Sequence, residues 1–355
     1  MTLQSELLTA CQVLSYEGTA PYFAGEPAFA AVDASVLGKV RIGARAWLGP
    51  ASVIRADGHF VRIGDDFSIG SHATVHIAHE LYPTLIGDRV TVGSNAVVHA
   101  CTVGDDCVIE DDVVILDGSI VGDQVVIERG AVVYPRSTLQ KGSVYAGAPA
   151  KRVAALAPAE QAQRKARLRE AAGNAAVALR DRAAAKWRPQ AFVARTADLA
   201  GQIDLGANAS VFFSCVLHAE GAAIVVGDNS NIQDNTRIFC SGGGVVIGRD
   251  TTIGHNVQMM DCRIGDRCLV GIGSVVNPGT VIEDDVLLAA GAETEPGQRL
   301  QSGALYAGRP ARAIAKLDSA KRTMMAAIIA QYCGYAEVYR AQQSRFEEQG
   351  ACHGT

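Results

Sequence analysis

Aromatic side chains are scarce in this chain, at 6% of 355 residues with two tryptophans. A wide globular core draws much of its volume from such rings, so a narrow interior filled by Val, Ile and Ala is expected. Charge of one sign is also lacking. The net charge is -5 and no strongly basic stretch stands out, so a nucleic-acid partner is not expected. No apolar run is long enough to span a bilayer, and no membrane partner is expected. The N-terminal stretch has no cationic start followed by an apolar run, so no signal peptide is expected. The nine cysteines form no CxxC pair, which removes the usual zinc-ribbon spacing. A reduced, cytoplasmic setting is the simplest expectation.

What is abundant is periodicity. Between Ile63 and Val133 an aliphatic residue recurs about every six positions, often followed by Gly: Ile63-Gly64-Asp65, Ile69-Gly70-Ser71, Ile86-Gly87-Asp88, Val92-Gly93-Ser94, Val103-Gly104-Asp105. Neither a helix nor an alternating strand has that period. It is the hexapeptide signature of a parallel β-helix, in which three six-residue units make one triangular coil. The aliphatic side chains are expected to stack inside, with Gly and Asp serving corners of unusual φ.

The pattern starts again after a break. Val226-Gly227-Asp228, Ile247-Gly248, Ile253-Gly254-His255 and Ile264-Gly265-Asp266 repeat the first half. Cys101 and Cys107 recur as Cys262 and Cys268 at one common offset, and Tyr145-Ala146-Gly147 recurs as Tyr306-Ala307-Gly308. The expected fold class is mainly β, with two tandem left-handed parallel β-helix domains, each followed by an α-helical segment. The expected boundaries are 1–155 for the first domain with an irregular or helical lead-in, 156–188 for a helical linker, 189–315 for the second domain and 316–355 for a C-terminal helix. The charges of the linker helix are expected to form a solvated face. The C-terminal helix, with apolar positions at Met324, Met325, Ile328, Ile329, Tyr332 and Tyr335, is expected to pack on its own prism.

Two histidines share one phase of the ruler. His76 follows Val75 and His99 follows Val98. The step from Val75 to Ile86 exceeds one hexad by five positions, an insertion around His79, Glu80, Leu81 and Tyr82. Setting those five aside leaves three hexads between His76 and His99, one full coil. The two imidazoles are therefore expected one above the other, about 4.8 Å apart at the backbone. Imidazoles so placed can share a metal.

Arg55-Ala56-Asp57, Val75-His76, Val92-Gly93-Ser94 and Val98-His99-Ala100-Cys101 resemble the γ-class carbonic anhydrases and their relatives. That family carries an Arg-Gly-Asp-like stretch, an Asn-Ile-Gln-Asp stretch and three zinc histidines, with the zinc between neighbouring subunits. Each half here departs from the pattern in the opposite way. The first half keeps Arg55, Asp57, His76 and His99, but has Ser94 at the middle histidine and Ser68-Ile69-Gly70-Ser71 at the Asn-Ile-Gln-Asp stretch. The second half keeps Asn231-Ile232-Gln233-Asp234 and His255, but has Phe239 and Met260 at the other two histidines and His218 and Glu220 at Arg and Asp. The resemblance therefore implies one composite zinc site, His76, His99 and His255, between a first-type and a second-type face. The opposite pairing, Phe239 and Met260 against Ser94, is expected to be a structural contact.

The implied chemistry is attack of zinc-bound hydroxide on carbon dioxide or another small carbonyl substrate, with bicarbonate as the hydration product. Gln233 would orient the oxyanion. Arg55, Asp57 and Asp234 would hold the faces in register, and Glu80 would shuttle protons. His79 or Tyr82 would line the mouth. Another divalent metal could replace zinc, and oligomerisation through β-helix faces is expected. Two other functions fit the same repeats. One is a coenzyme A-dependent acyltransferase using His99 or His255 as base, with Lys151 or Arg312 near the coil ends. The other is a non-catalytic assembly subunit.

Overall fold

The computed structural model describes residues 11–173 and 190–351. The chain divides into two compact units, Met1–Ala178 and Leu179–Thr355. Each is a prism of short parallel strands in which every coil pairs with the one before and the one after.

In the first unit one face stacks Thr74–His76, Val97–His99, Val114–Ile115 and Val132–Val133. A second stacks Thr84–Ile86, Thr102–Val103, Ile120–Val121 and Thr138–Leu139. A third runs from Phe29–Ala30 to Ser143–Ala146, closed by the antiparallel strand Lys151–Ala155. The long strand Val53–Ile63 bends across the first two faces and pairs with both. Val75, Val98 and Ile115, successive in the ladder, are fully buried along the prism axis. The second unit repeats this plan, with Val216–Val226 as the bent strand and Arg312–Lys316 as the closing one.

The corners differ from expectation in one respect. The hexad glycines Gly43, Gly64, Gly87 and Gly104 do not hold the left-handed backbone. That conformation falls two residues later, on Arg45, Asp66, Arg89 and Asp106, with φ of 56° to 60°. The glycines are there for closeness. A Cβ on Gly64 would lie 2.2 Å from Asp88 Oδ1, and one on Gly87 2.2 Å from Asp105 Oδ1. Those same carboxylates accept backbone N–H groups of the preceding coil: Asp65 N–H donates to Asp88 over 2.8 Å, and Asp88 N–H to Asp105 over 2.9 Å. Gly and Asp are thus one device, since the carboxylate of one coil occupies the space a side chain would need on the coil before.

The lead-in also differs. Among its described residues it forms no helix. Gln12–Leu14 pairs with Ser35–Leu37, and Tyr22–Phe23 with Arg41–Ile42, starting the prism earlier than the hexads suggest. The linker helix is described over Pro158–Gly173, and the expected helical residues 174–188 lie outside the described residues. Its charges are not merely solvated. Arg164 bridges Glu110, Glu128 and Glu160, and Lys165 Nζ donates to the Arg89 carbonyl over 2.7 Å. Leu168 packs on Val108, Val126 and Val144. The C-terminal helix, Ser319–Ala351, buries Met325, Ile329, Tyr332, Tyr335 and Tyr339 along one stripe. Tyr332 meets Phe212 edge-on at 5.1 Å, and Tyr339 meets Phe213 likewise at 5.1 Å, so this helix packs on its own prism. Among the described residues no helix is long and apolar enough to cross a membrane.

Replacing Gly87 by Ala is expected to cost about 1–3 kcal/mol, because the backbone and Asp105 must move apart. Replacing Gly334 by Ala, in the C-terminal helix with nothing near its missing Cβ, should instead stabilise by about 0.5–1 kcal/mol. Urea unfolding of the two variants checks the opposite signs.

Burial also sets a pH response. It pushes the Cys11 thiol up to about 11, and those of Cys107, Cys262 and Cys268 up to about 12, from an ordinary 9.0. Cys107 Sγ donates to the Gly122 carbonyl over 3.1 Å and Cys268 Sγ to that of Glu283 over 3.0 Å, which only the protonated thiol can do. The folded pKa is raised, so this contribution is fully present below about pH 9 and lost as pH rises toward 11 to 12. The urea midpoint should therefore fall between about pH 8 and about pH 10.5, and Cys107→Ala with Cys268→Ala should lessen the fall.

Candidate functional site

In the first unit His76 and His99 end adjacent strands and pair directly in the ladder. The five-residue insertion leaves the prism after His76, and the chain rejoins it at Thr84, so the segment from His76 to His99 makes one coil plus a loop. The ring centroids are 5.4 Å apart with planes at 64°. Both rings are buried and point away from the prism core, whose axis is filled by Val75 and Val98.

The second nitrogen of each ring is held by its own unit. His76 Nδ1–H donates to the Arg55 carbonyl over 2.8 Å, and His99 Nδ1–H to Asp117 Oδ1 over 2.6 Å. These contacts set the tautomer that leaves Nε2 with its lone pair on both rings. Arg55 Nη2 stands 3.3 Å from His76 Nε2. The Arg55 guanidinium is paired with Asp57, and both residues are 0% exposed. A buried arginine needs such a partner, so Asp57 is what allows Arg55 to sit against the histidine.

In the second unit Asn231, Gln233, Asp234 and His255 come from adjacent coils and are buried. Asp234 Oδ1 accepts the Phe213 N–H over 3.0 Å, and Asp234 Oδ2 lies 3.2 Å from His255 Nδ1. Tyr332, on the C-terminal helix, brings its hydroxyl to 3.2 Å from His255 Nε2. His255 thus lies between the Asp234 carboxylate on its Nδ1 side and the Tyr332 hydroxyl on its Nε2 side. Gln233 Nε2 donates to Asn231 Oδ1 over 3.3 Å. The face bearing the other counterparts has no ligand column. His218 pairs with Asp198 over 2.9 Å, and Phe239 and Met260 follow it in the ladder, 36% and 38% exposed.

Of the remaining expected residues, Glu80 lies at the tip of the insertion, well exposed, with Oε1 4.0 Å from His79 Nε2. Ser94, at the middle-histidine position of the first half, donates its N–H to Asp111 over 2.8 Å, a corner contact. Two residues were not singled out for the site in the sequence. Asp117 stands three hexads after His99, one coil on, so the ruler itself could have found it. Tyr332 belongs to a helix outside the hexads, and no periodicity links it to His255.

His76 and His99 are a donor pair of the kind that suits a zinc-type ion, each with its Nδ1 locked by a carbonyl or carboxylate acceptor in the way such ligands usually are.

Comparison with known proteins agrees with this architecture. A family model for "Bacterial transferase hexapeptide (six repeats)" matches residues 261–295, and one for "Hexapeptide repeat of succinyl-transferase" matches residues 83–117. Gamma carbonic anhydrase 1, mitochondrial, of Arabidopsis thaliana is 29% identical over 163 residues, covering 44% of this chain and 59% of that protein. Protein YrdA of Escherichia coli is 35% identical over 150 residues, covering 40% of this chain and 82% of its own length. A putative acetyltransferase from Desulfovibrio desulfuricans G20 covers 94% of this chain and 84% of its own with a TM-score of 0.56 at 12% identity, which is a likeness of fold alone. The chain belongs to the γ-class carbonic anhydrase-like family of hexapeptide-repeat proteins. The chain spans 59% of the length of the Arabidopsis relative.

Asp117→Asn should weaken metal binding by about 10–100-fold, because an amide no longer fixes the His99 tautomer. Competition titration of Zn²⁺ or Co²⁺ against a chromophoric chelator reads the change, while an unchanged affinity would reduce Asp117 to a surface contact.

Proposed function

We propose that the chain is a zinc-dependent enzyme of the carbonic anhydrase type, with one composite site made from His76 and His99 of the first unit and His255 of the second. The observation that carries this reading is the complementarity of the halves. Each histidine that survives is buried and has one ring nitrogen anchored within its own unit, while the positions lost in one half are those kept in the other. Independent decay of two copies does not favour that outcome.

Zinc, when bound, supplies Lewis acidity that lowers the pKa of a coordinated water to about 7. The rest is the work of this chain. His76, His99 and His255 hold the ion with one position open to a small substrate, carbon dioxide by family likeness. Gln233 offers its amide to the substrate oxygen. Arg55, neutralised by Asp57, and Asp234 keep the ligand histidines oriented. Glu80, exposed beside His79, exchanges protons with solvent. We place self-association on the β-helix faces and the chain in the cytoplasm.

Elemental analysis should find about one zinc per chain, and stopped-flow measurement should detect carbon dioxide hydration. His255→Ala should bring zinc content and turnover to near zero, as His76→Ala and His99→Ala do, although His255 belongs to the other half of the sequence. Ser94→His should rescue none of them. Zinc and turnover surviving in His255→Ala would overturn the composite site, and His72 or His79 would then be the candidates for a nearby third ligand. Retention of coenzyme A without zinc would point to acyl transfer instead.

A further inference from the structure

The insertion after His76 is held at two places, and both anchors are glycines. At Gly58, one residue beyond Asp57, an added Cβ would lie 1.6 Å from His79 Nδ1, so the imidazole occupies the space a side chain would take. At Gly118, one residue beyond Asp117, an added Cβ would lie 3.5 Å from Tyr82 Cζ. Between these anchors the loop closes on itself, with Tyr82 N–H donating to the Ala78 carbonyl over 3.2 Å and Glu80 at a φ of 54°.

The ladder shows what this loop crosses. Arg55, His76 and His99 lie in successive coils, and Asp117 lies in the coil after His99. A segment resting on Gly58 at one end and Gly118 at the other passes three coil spacings, roughly 14 Å at ~4.8 Å each. It therefore runs beside the whole histidine column. Its outward residues are the apolar Leu81 and Tyr82, 72% and 40% exposed, and the charged Glu80 at the tip. Tyr82 also lies against the residue that follows Asp117, whose carboxylate orients His99.

We propose that the loop from Ile77 to Pro83 is a strap across the histidine column, pinned by His79 on Gly58 and by Tyr82 on Gly118, and that Tyr82 sets substrate size. Resting on the composite-site reading, this makes the admitted substrate small and uncharged, of one or two carbons. A lip of Leu81, Tyr82 and the Glu80 carboxylate disfavours an anion, which would have to shed water there and face a like charge, and the pinned ring narrows the way in for a bulky leaving group.

Two measurements on the full chain test it. Carbethoxylation of His76 and His99 by diethyl pyrocarbonate, followed by peptide mass spectrometry, should be slow in the native protein. It should be at least tenfold faster in Tyr82→Ala combined with His79→Ala, while Tyr82→Phe, which keeps the ring, should behave like the native chain. The ratio of p-nitrophenyl acetate hydrolysis to carbon dioxide hydration should rise at least tenfold in Tyr82→Ala with zinc content unchanged. Unchanged labelling in the double variant, or an unchanged ratio in a zinc-loaded Tyr82→Ala, would overturn the strap. A native chain without zinc would defeat the composite site, yet the labelling rates, read on the metal-free protein, would still decide the strap.

Discussion

The structure depends on how closely one coil can lie on the next. Strands of two or three residues cannot hold a sheet by themselves, and the prism persists because every coil is tied to its neighbours along three faces. The tie at the corner is an aspartate that accepts a backbone N–H of the coil before it, seated where a Cβ would otherwise stand. This one contact explains why Gly follows the aliphatic residue and why Asp follows Gly. The sparse aromatics go with a narrow core filled mainly by Val, Ile and Ala, among which Phe67 is the fully buried ring of the first unit.

A rigid ladder of that kind is a good frame for a ligand set. His76 and His99 are brought to a centroid spacing of 5.4 Å by register alone, with no contribution from loop conformation. What the ladder does not provide is ring orientation, which comes from the Arg55 carbonyl and Asp117 on the Nδ1 of His76 and His99, and from Asp234 and Tyr332 on the two sides of His255. Backbone register places the ligands, and side chains from other coils or from the helix turn them. The apolar column of Phe239 and Met260 shows the same frame with that chemistry removed.

Helix docking follows different rules from the coils. The Pro158–Gly173 helix is held by one small apolar contact, Leu168, and by ion pairs around Glu110 that the half-buried Arg164 completes. The Ser319–Ala351 helix is held by aromatic packing on Phe192, Phe212 and Phe213. The two halves repeat each other's coils but not each other's helix contacts, because nothing in the hexad constrains the outer surface.

The sequence by itself determined the six-residue period, the repetition of the whole domain, and the stacking of His76 on His99 once the insertion was set aside. These are properties of a ladder whose step is fixed by backbone hydrogen bonds, so counting along the chain suffices. Asp117 was within reach of the same counting. Other features were decided only by the tertiary structure. The left-handed corner fell on Asp66, Arg89 and Asp106 rather than on the glycines, because close approach and φ are separate demands that composition does not tell apart. The lead-in joined the prism as strands, because Gln12–Leu14 found an open edge that no local pattern announces. Tyr332 reached His255 because a helix outside the repeat packed its buried stripe there, and such a contact depends on the shape of two surfaces rather than on any spacing within one of them.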